Sequence, residues 1–425
     1  MNIKKFLLDM AMIIPITFVV AAIVTYVYSL IAHGSGSVNW ETAFTLAIIL
    51  GIALPLTRAR IARIGRYPAA PEDEPTSRCR SDTPHILIKE EVAMRSITLT
   101  TLFFIAGACL YAQQVPDTLF AVPNENPMYQ AGTGPVVCID AAHHNFHTLE
   151  GRYHAFGRLV RGDGFQTRSL EQSFDEYTLE NCDVVVVVGA LAAENAVVEG
   201  DPEATLSRWD YPHPPAFEPV EVRALIKWLH TGGSLLLIMD HAPFPGAVSD
   251  LAALVGVIPL NGGATYRLFG EPDPEAIGAV AQEIGYSPEQ LRQALGEPGG
   301  LGDHPILRGR EGIDRPVRSI MTFGGTAFLP SEGVQPLLTL SAEAFGLVST
   351  PDISQDLWPR YTMTGWIAGG AVETGQGRAV VLGEAAMCTA QLRGADGSPM
   401  GMNHPLSGSN PQFCLNVVRW LARAF

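Results

Sequence analysis

The chain has 425 residues and a formal net charge of −15, with 28 Lys and Arg against 43 Asp and Glu. This length allows two or three folded units. The negative charge excludes a typical nucleic-acid-binding protein, which needs a cationic face, so we expect no nucleic-acid partner. The charge is uneven, because residues 113–425 hold 35 of the acidic and only 18 of the basic residues.

The first 66 residues predict a transmembrane helical hairpin. Residues 10–32 are a 23-residue run without a charge, which at about 1.5 Å per residue is long enough to cross a bilayer. A second apolar run covers residues 40–56. Basic residues flank the outer ends of the two runs, at Lys4, Lys5, Arg58, Arg60, Arg63 and Arg66. Both flanks would therefore lie on the cytoplasmic side, and the bilayer is an expected partner.

Two further segments precede the remainder of the chain. Residues 67–95 are rich in proline and charge and predict a flexible linker. Residues 96–112 predict either a third transmembrane helix or a secretory signal peptide that starts at Met94 and is cleaved after Ala112. Both interpretations export residues 113–425, so we expect a bacterial membrane protein whose C-terminal domain is periplasmic or extracytoplasmic.

Residues 113–425 alternate strand-like and helical segments, which is typical of an α/β domain. The five consecutive valines at 184–188 predict a strand that is covered on both faces. The predicted strands cover residues 136–139, 165–169, 183–188, 234–239, 320–323, 337–340 and 378–382. Predicted helices cover residues 151–161 and 219–231, and a last helix begins with Asn410 as its N-cap.

A Gly-, Pro- and Glu-rich stretch interrupts this alternation at about residues 262–303. Its middle, residues 274–295, has a helical pattern, so we interpret the stretch as an insertion over the sheet. Six cysteines are present, and none belongs to a CxxC pair. Cys138 and Cys414 lie among apolar residues and are interpreted as buried free thiols, so the cysteines do not decide the compartment.

Polar residues follow several predicted strands at the point where each strand ends. In open parallel sheets, ligands bind beyond the carboxyl ends of the strands. We therefore predict a cleft there that binds a small polar ligand. The candidate ligand-binding residues are His143, His144, Asn145, His147, Arg152, Asp240, His241, Glu384, Gln391 and Asn403. His304 is interpreted as part of a turn at the edge of the insertion, whereas His404 either reaches the same cleft or caps the loop before the last helix.

A second interpretation is a metal-assisted hydrolase at the same edge. Imidazole and carboxylate groups bind first-row metals, and a bound divalent ion can activate water. The metal candidates are His143, His147 and Asp240. The candidate catalytic residues are Asp140, His143, His147, Asp240 and Glu384. The chain has no HExxH motif, and the neighbours His143 and His144 cannot easily face one site together, so the choice between binding and hydrolysis stays open.

Several stretches taken together resemble a known family. They are DAAHHNFHT, GGSLLLIMDHAPFPG, LGDHPILRGR, GRAVVLGEAAM, GMNHP and NPQFCLNVVRWL. They resemble an uncharacterised bacterial domain family of the class I glutamine amidotransferase-like superfamily, which is related to auxiliary domains of gliding-motility ABC transporters and to trehalose-utilisation-type proteins. The resemblance covers about residues 135–425 and implies a three-layer flavodoxin-like sandwich with a mostly parallel sheet. It also implies a binding module, for which a sugar or a cell-envelope component is a plausible ligand.

The sequence departs from true glutamine amidotransferases at the nucleophile. Those enzymes carry a cysteine on a tight turn after a central strand, whereas here the corresponding strand runs into Gly189-Ala190-Leu191. Without an activated thiol, we expect no glutamine amidotransferase activity. Residues 1–66, with the stretch WETAFTLAIILGIALPLTRAR, in turn resemble a small two-helix bacterial membrane protein.

Overall fold

The computed structural model describes residues 14–15, 17–26, 114–195, 213–348, 358–394 and 397–425. The chain divides into two units, Met1–Lys89 and Glu90–Phe425. Residues 14–15 and 17–26 of the first unit are helical. Within the described ranges, no helix combines the length and the apolar character that a membrane span requires. The remainder of the predicted hairpin 1–66, the linker 67–95 and the predicted segment 96–112 lie outside the described residues.

The second unit contains a mixture of short strands and helices. Its described strands are, in chain order, β1 (Gln114–Pro116), β2 (Val136–Asp140), β3 (Gln166–Leu170), β4 (Val184–Val188), β5 (Ser234–Ile238), β6 (Val257–Pro259), β7 (Gly263–Ala264), β8 (Leu268–Gly270), β9 (Gly300–Leu301), β10 (Ser319–Met321), β11 (Phe328–Pro330), β12 (Gln335–Thr339), β13 (Phe345–Leu347), β14 (Arg360–Thr362), β15 (Ile367–Thr374), β16 (Gly377–Leu382), β17 (Ala390–Arg393) and β18 (Ser398–Gly401).

Along the chain, most helices follow one parallel strand and precede the next. The described α-helices of this unit are α1 (His154–Gly162), α2 (Glu176–Glu180), α3 (Pro219–His230), α4 (Phe244–Ala247), α5 (Ser249–Leu254), α6 (Pro274–Glu283), α7 (Pro288–Leu295), α8 (Pro305–Arg308) and α9 (Asn410–Leu421). Short 3₁₀ turns cover Ala193–Asn195 and Ala386–Cys388.

A ten-stranded sheet organises the second unit. Five of its strands run parallel to one another in the order β3-β2-β4-β5-β16. Numbered along the chain, this is the order 2-1-3-4-5 of flavodoxin-type sheets, in which ligands bind at the carboxyl ends of the strands. The predicted α/β class with a large, mostly parallel sheet is confirmed.

The sheet continues beyond β16 in a way that the sequence did not predict. β15 pairs with β16 in antiparallel orientation, and β11, β6, β12 and β9 extend the sheet in the same manner. The predicted strand 337–340 overlaps β12, which is one of these antiparallel strands. β10 forms a separate antiparallel pair with β8. Strand β9 ties the insertion at 262–303 to the main sheet through β12.

Both faces of the parallel strands are covered, as the valine run predicts. Val184 and Val186 pack in one core cluster together with residues of α1 and α9, whereas Val185 and Val187 pack in another with residues of α3. Successive side chains of a strand point to opposite faces, so five buried valines in a row require a core on each side.

The predicted helices are present, but their bounds differ. Helix α1 covers His154–Gly162 instead of 151–161. Helix α3 begins at Pro219 and ends just before Thr231, and the predicted helical stretch 274–295 consists of α6 and α7. The prediction that Asn410 is an N-cap is wrong, because Ser409 occupies that position. The Asn410 side chain instead accepts a hydrogen bond from the backbone amide of Met321 and donates to the carbonyls of Met321 and Met387. These bonds fix the start of α9 against the core.

The interpretation of Cys138 and Cys414 as free thiols is also wrong. Cys138 is bonded to Cys182 and Cys388 is bonded to Cys414, each with a Cα–Cα distance of 5.8 Å. That distance is usual for a disulfide. The four cysteines lie 44 and 26 residues apart in pairs, and such separations give no pairing signal in the sequence.

Candidate functional site

His143 is the centre of a buried hydrogen-bonded group just beyond the end of β2. Its Nδ1 lies 2.9 Å from both carboxylate oxygens of Asp140, and its Nε2 lies 2.9 Å from Oε1 of Glu221. Only a doubly protonated imidazolium can donate from both nitrogens, so two ionised carboxylates favour that form. We call Asp140, His143 and Glu221 the histidine bridge. It fastens the end of β2 to the start of α3.

The surroundings of the histidine bridge favour this charged state. The ring of His143 lies between Phe174 and Phe217, at centroid distances of 4.7 and 4.4 Å. Burial among these rings opposes charge, but the hydrogen bonds and charges of the two carboxylates outweigh it, and the pKa of His143 is raised above its ordinary value. Burial likewise opposes charge on Glu221, but the pKa of that carboxyl is lowered because His143 and backbone amides donate to it.

The loop after β2 then carries His147 towards the end of β4. Asn145 donates to Asp140 and to the carbonyl of Val188, and the Phe146 amide donates to the carbonyl of Gly189. His147 is consequently held beside Gly189, where a Cβ atom would lie only 3.3 Å from its Nδ1. Glycine is needed there for this close approach and for its φ of +58°. His144 has a φ of +46° and is exposed on the same loop.

Two carboxyl groups lie at the ends of the neighbouring parallel strands β5 and β16. The strands are in register through Ile238 and Leu382, two residues before each acid. Asp240 accepts hydrogen bonds from the amides of His241, at 2.6 Å, and Ala385, at 3.1 Å. The second bond crosses directly to the residue after Glu384. We call Asp240 and Glu384 the carboxyl pair.

Glu384 is completely buried and is fixed by the backbone of its own chain segment. Its two oxygens accept from the amides of Ala386 and Met387, at 3.0 and 2.7 Å. Asp240 is buried as well, and its φ of +68° is in the left-handed region that residues other than glycine rarely adopt. Such a conformation costs on the order of 1–3 kcal/mol and is characteristic of functional positions.

Burial makes the carboxyl pair weakly acidic. Burial raises the pKa of Asp240 above its ordinary value, although the charge and amide of His241 oppose the shift. Burial also raises the pKa of Glu384, and the negative charge of Asp240 raises it further. Two interacting carboxyl groups lose their protons in separate steps. The pair therefore keeps one proton over a wider pH range than an exposed acid would.

Two buried nitrogen atoms, Nη1 of Arg152 and Nδ1 of His147, lack hydrogen-bond partners within the described part of the chain. The Arg152 guanidinium lies 3.9 Å from the ring centroid of Phe146. Burial lowers its pKa to about 10, and the charge of Asp240 opposes that shift. Burial, followed by the charges of Arg152 and His241, lowers the pKa of His147 well below its ordinary value, so this ring is neutral.

Aromatic hydroxyl groups complete the surroundings of the carboxyl pair. Tyr153 donates to the carbonyl of Ala385, and Tyr266 donates to the carbonyl of Thr326. Burial raises the pKa of both phenols well above the ordinary value, with further contributions from Glu384 and Asp240. Neither phenol ionises near neutral pH, so both act as fixed dipoles.

The remaining predicted residues lie in different surroundings. His241 has its side chain about half exposed, with Nε2 at 3.8 Å from the Asp240 carboxylate. Gln391 lies in β17 of the small sheet β1-β17-β18, and Asn403 lies two residues after β18. The Asn403 side chain donates to the carbonyl of Gln391 and to Asp117. The structure thus divides the predicted residues among the histidine bridge, the carboxyl pair with its neighbours, and this small sheet.

His304 and His404 each cap a short local turn. Nδ1 of His304 accepts from the amide of Ile306 at the start of α8, and its ring packs on Trp420. Nδ1 of His404 accepts from the amide of Leu406. Burial lowers the pKa of His304 to about 4 and lowers that of His404 as well. These contacts give both histidines a structural role.

The predicted metal ligands His143, His147 and Asp240 do not fit a common ion. Both nitrogens of His143 already bond protein carboxylates. In the ranges that the structure describes, no three His, Cys, Asp or Glu side chains are grouped as a metal site requires.

Sequence reasoning missed several residues of these groups. Glu221 lies 78 residues after His143, in the first turn of a predicted helix. Tyr153 has the spacing of an apolar-face residue, and Tyr266 lies in the predicted insertion. A Cβ at Gly325 would lie 2.7 Å from that of Glu384, which the GGT sequence alone does not show. One signal was available, because Glu218 and Glu221 have the spacing of a capping box at the start of α3.

The chain matches no protein-family model, and no curated protein matches it. Among solved structures it is similar to the mmIFT52 N-terminal domain, with 11% identity, coverage of 67% of this chain and 96% of that chain, and a TM-score of 0.41. Its structural neighbours include a putative ThuA-like protein from Bacteroides uniformis, with 12% identity, coverage of 71% and 94%, and a TM-score of 0.32. A cytoplasmic protein from Salmonella typhimurium LT2 has 10% identity, coverage of 67% and 98%, and a TM-score of 0.35. At these values the likenesses carry no functional argument.

Proposed function

We propose that the second unit binds a small polar, uncharged ligand at the carboxyl pair. One observation carries this proposal: Nη1 of Arg152, a residue whose charge interacts with that of Asp240, and Nδ1 of His147 have no hydrogen-bond partner among the described residues. Unpaired buried polar groups are destabilising, by about 1–3 kcal/mol each. A bound ligand that pairs with them would remove that penalty, so these atoms favour a ligand over an empty site.

The charges near the pair favour an uncharged ligand. When one of the two carboxyl groups is ionised, the pair carries one negative charge, which the charge of Arg152 opposes, and burial keeps His147 neutral. Hydroxyl or amide groups could donate to the carboxylate and accept from Arg152, and the ring of Phe146 offers an apolar surface. A sugar or a cell-envelope component offers such groups. The resemblance of the sequence to the class I glutamine amidotransferase-like superfamily implies the same kind of ligand.

The binding proposal can be tested with the full chain and a panel of neutral mono- and disaccharides and amino-sugar fragments. We expect at least one of them to raise the melting temperature and to bind in calorimetry. Arg152→Gln removes a charged donor worth about 1.5–3 kcal/mol and should weaken binding about tenfold to a hundredfold. Arg223→Gln, a substitution at an exposed arginine on α3, is the matched control and should leave affinity unchanged. Equal affinities in both variants would contradict the proposal.

We further propose that the second unit is exported and tethered to the bacterial membrane by the N-terminal segments. The uncharged run at 10–32 and its flanking basic residues support the tether. Two disulfides support export, because such bonds persist in oxidising compartments and are rare in the cytosol. A reporter fused after Phe425 should be active only outside the cytoplasm, and a cytoplasmic signal would refute the export proposal.

A further inference from the structure

Asp240 and Glu384 differ in their exposure to solvent. The side chain of Asp240 retains 10% exposure, whereas Glu384 is fully buried. Asp240 lies two residues after the end of β5, at a left-handed turn ahead of α4, so its carboxyl lies at the carboxyl end of the parallel strands. A reactive side chain on a sharp strand-to-helix turn is a recurrent way to present it to a substrate. Glu384 lies two residues after the end of the neighbouring strand β16.

The hydrogen bonds leave both carboxyl groups able to exchange protons. The described hydrogen bonds to Asp240 and Glu384 come from backbone amides, and no described arginine or lysine donates to either carboxylate. The amides fix the orientation of each group without supplying a full positive charge that would keep both ionised. Fixed orientation together with one retained proton is the arrangement that general acid–base catalysis uses.

We propose that Asp240 and Glu384 form the general base and the general acid of a hydrolase that cleaves an acyl ester or amide on a polar, hydroxylated ligand. This inference rests on the proposed binding function and adds a reaction to the same site. The unpartnered Nη1 of Arg152 favours an acyl ester or amide as the substrate. A carbonyl carbon under attack develops negative charge on its oxygen, and Nη1 of Arg152 is free to donate to that oxygen.

The proposed hydrolysis consists of attack by water on the acyl carbon followed by departure of the alcohol or amine. Ionised Asp240 takes a proton from water as the water oxygen bonds to the acyl carbon, and the carbonyl electron pair moves to the oxygen beside Arg152. The carbonyl then re-forms, the bond from the acyl carbon to the leaving oxygen or nitrogen breaks, and the leaving atom takes the proton of Glu384. The proton on Asp240 passes to Glu384. One water is consumed and an acid and an alcohol or amine are released.

Hydrolysis by the full chain can be measured with p-nitrophenyl acetate and with O-acetylated glucose. Replacing a general acid or base costs about 10²–10⁴-fold in rate, so we expect a loss of this size in kcat/KM for Asp240→Asn and for Glu384→Gln. Glu373→Gln changes an exposed carboxylate on β15 and should retain full activity. Wild-type protein should show a bell-shaped pH profile, and Glu384→Gln should lose its alkaline limb, which a merely structural role would not produce.

A second measurement does not depend on the choice of ester. An aryl glycidyl ether should alkylate Asp240, because the carboxylate opens the epoxide while Glu384 protonates the departing oxygen. Peptide mass spectrometry should find the adduct on Asp240 in wild type, and at a rate at least about tenfold lower in Glu384→Gln. Circular dichroism melting checks that each variant is folded. Equal hydrolysis and equal labelling in wild type and folded variants would overturn this inference.

The two proposals fail in different ways. If a saccharide still stabilises the wild-type protein and Arg152→Gln weakens its binding, the absence of hydrolysis and labelling refutes only the acid–base assignment. If no saccharide binds but Asp240-dependent hydrolysis occurs, the acid–base assignment stands and the proposed ligand class is refuted.

Discussion

Replacing His143 by glutamine tests whether the histidine bridge carries a buried positive charge. The substitution removes the imidazolium from between Asp140 and Glu221, and both acids are buried. Breaking a buried ion pair on one side costs about 3–5 kcal/mol, because the remaining charge is left without compensation. We expect His143→Gln to lower the free energy of unfolding of the second unit by at least that amount. Glutamine can donate one hydrogen bond but cannot neutralise two carboxylates.

The predicted loss of stability in His143→Gln depends on pH. Because the folded state raises the pKa of His143, its contribution to stability is complete below the unfolded pKa of about 6.5 and is lost as pH rises through the folded pKa. The difference between wild type and variant should therefore be largest near about pH 6 and should shrink in alkaline solution.

The assay is urea unfolding followed by tryptophan fluorescence and near-UV circular dichroism, at several pH values. Lys227→Met is the matched control, since Lys227 pairs with Glu176 on the surface of α3 and the two side chains are 65% and 75% exposed. Exposed pairs contribute about 0–1 kcal/mol, so this variant should unfold almost like wild type. A loss for His143→Gln no larger than that of the control, or one that does not change with pH, would refute the charged bridge.

Three further predictions concern other parts of the second unit. Replacing both Cys138 and Cys182 by serine should lower the free energy of unfolding by about 2–4 kcal/mol, and adding a reductant to this variant should lower it again through the second disulfide; an unchanged urea midpoint would refute the bond. Arg419→Met should lower the free energy of unfolding by about 3–5 kcal/mol, because it leaves the buried Asp163 unpaired. Gly325→Ala should lower the melting temperature and weaken saccharide binding, because its Cβ would lie 2.3 Å from the carbonyl oxygen of Gly383.

Surface substitutions provide the controls for these predictions. Arg308 pairs with Asp303 on the surface, where the two side chains are 58% and 93% exposed, so Arg308→Met should change the urea midpoint far less than Arg419→Met. Gly278→Ala, on the other hand, places a Cβ where no atom lies within 4 Å in α6. It should leave binding unchanged, and equal effects of the two glycine substitutions would contradict the proposed crowding at Glu384.

Local patterns in the sequence were sufficient to predict most elements of the parallel part. The run of valines at 184–188 and the proline and glycines around α3 are local signals, because burial on both faces and helix ends are properties of consecutive residues. The same reasoning identified Asp240 and Glu384, since a polar residue directly after a buried strand lies at the strand's end wherever that strand is placed. The cleft with a ligand stays a prediction.

The tertiary structure alone decided which of these residues meet. Glu221 joins His143 across 78 residues of sequence, and Cys138 joins Cys182 across 44. The antiparallel extension through β15 and the separation of β10 from the main sheet likewise depend on pairing between distant segments. The hydropathy pattern of a strand indicates that the strand is buried, but it does not indicate which strand lies beside it. Strands pair through backbone hydrogen bonds, and these groups are the same in every sequence. Strand order placed Asp240 beside Glu384, and burial at that junction raised the pKa of both acids.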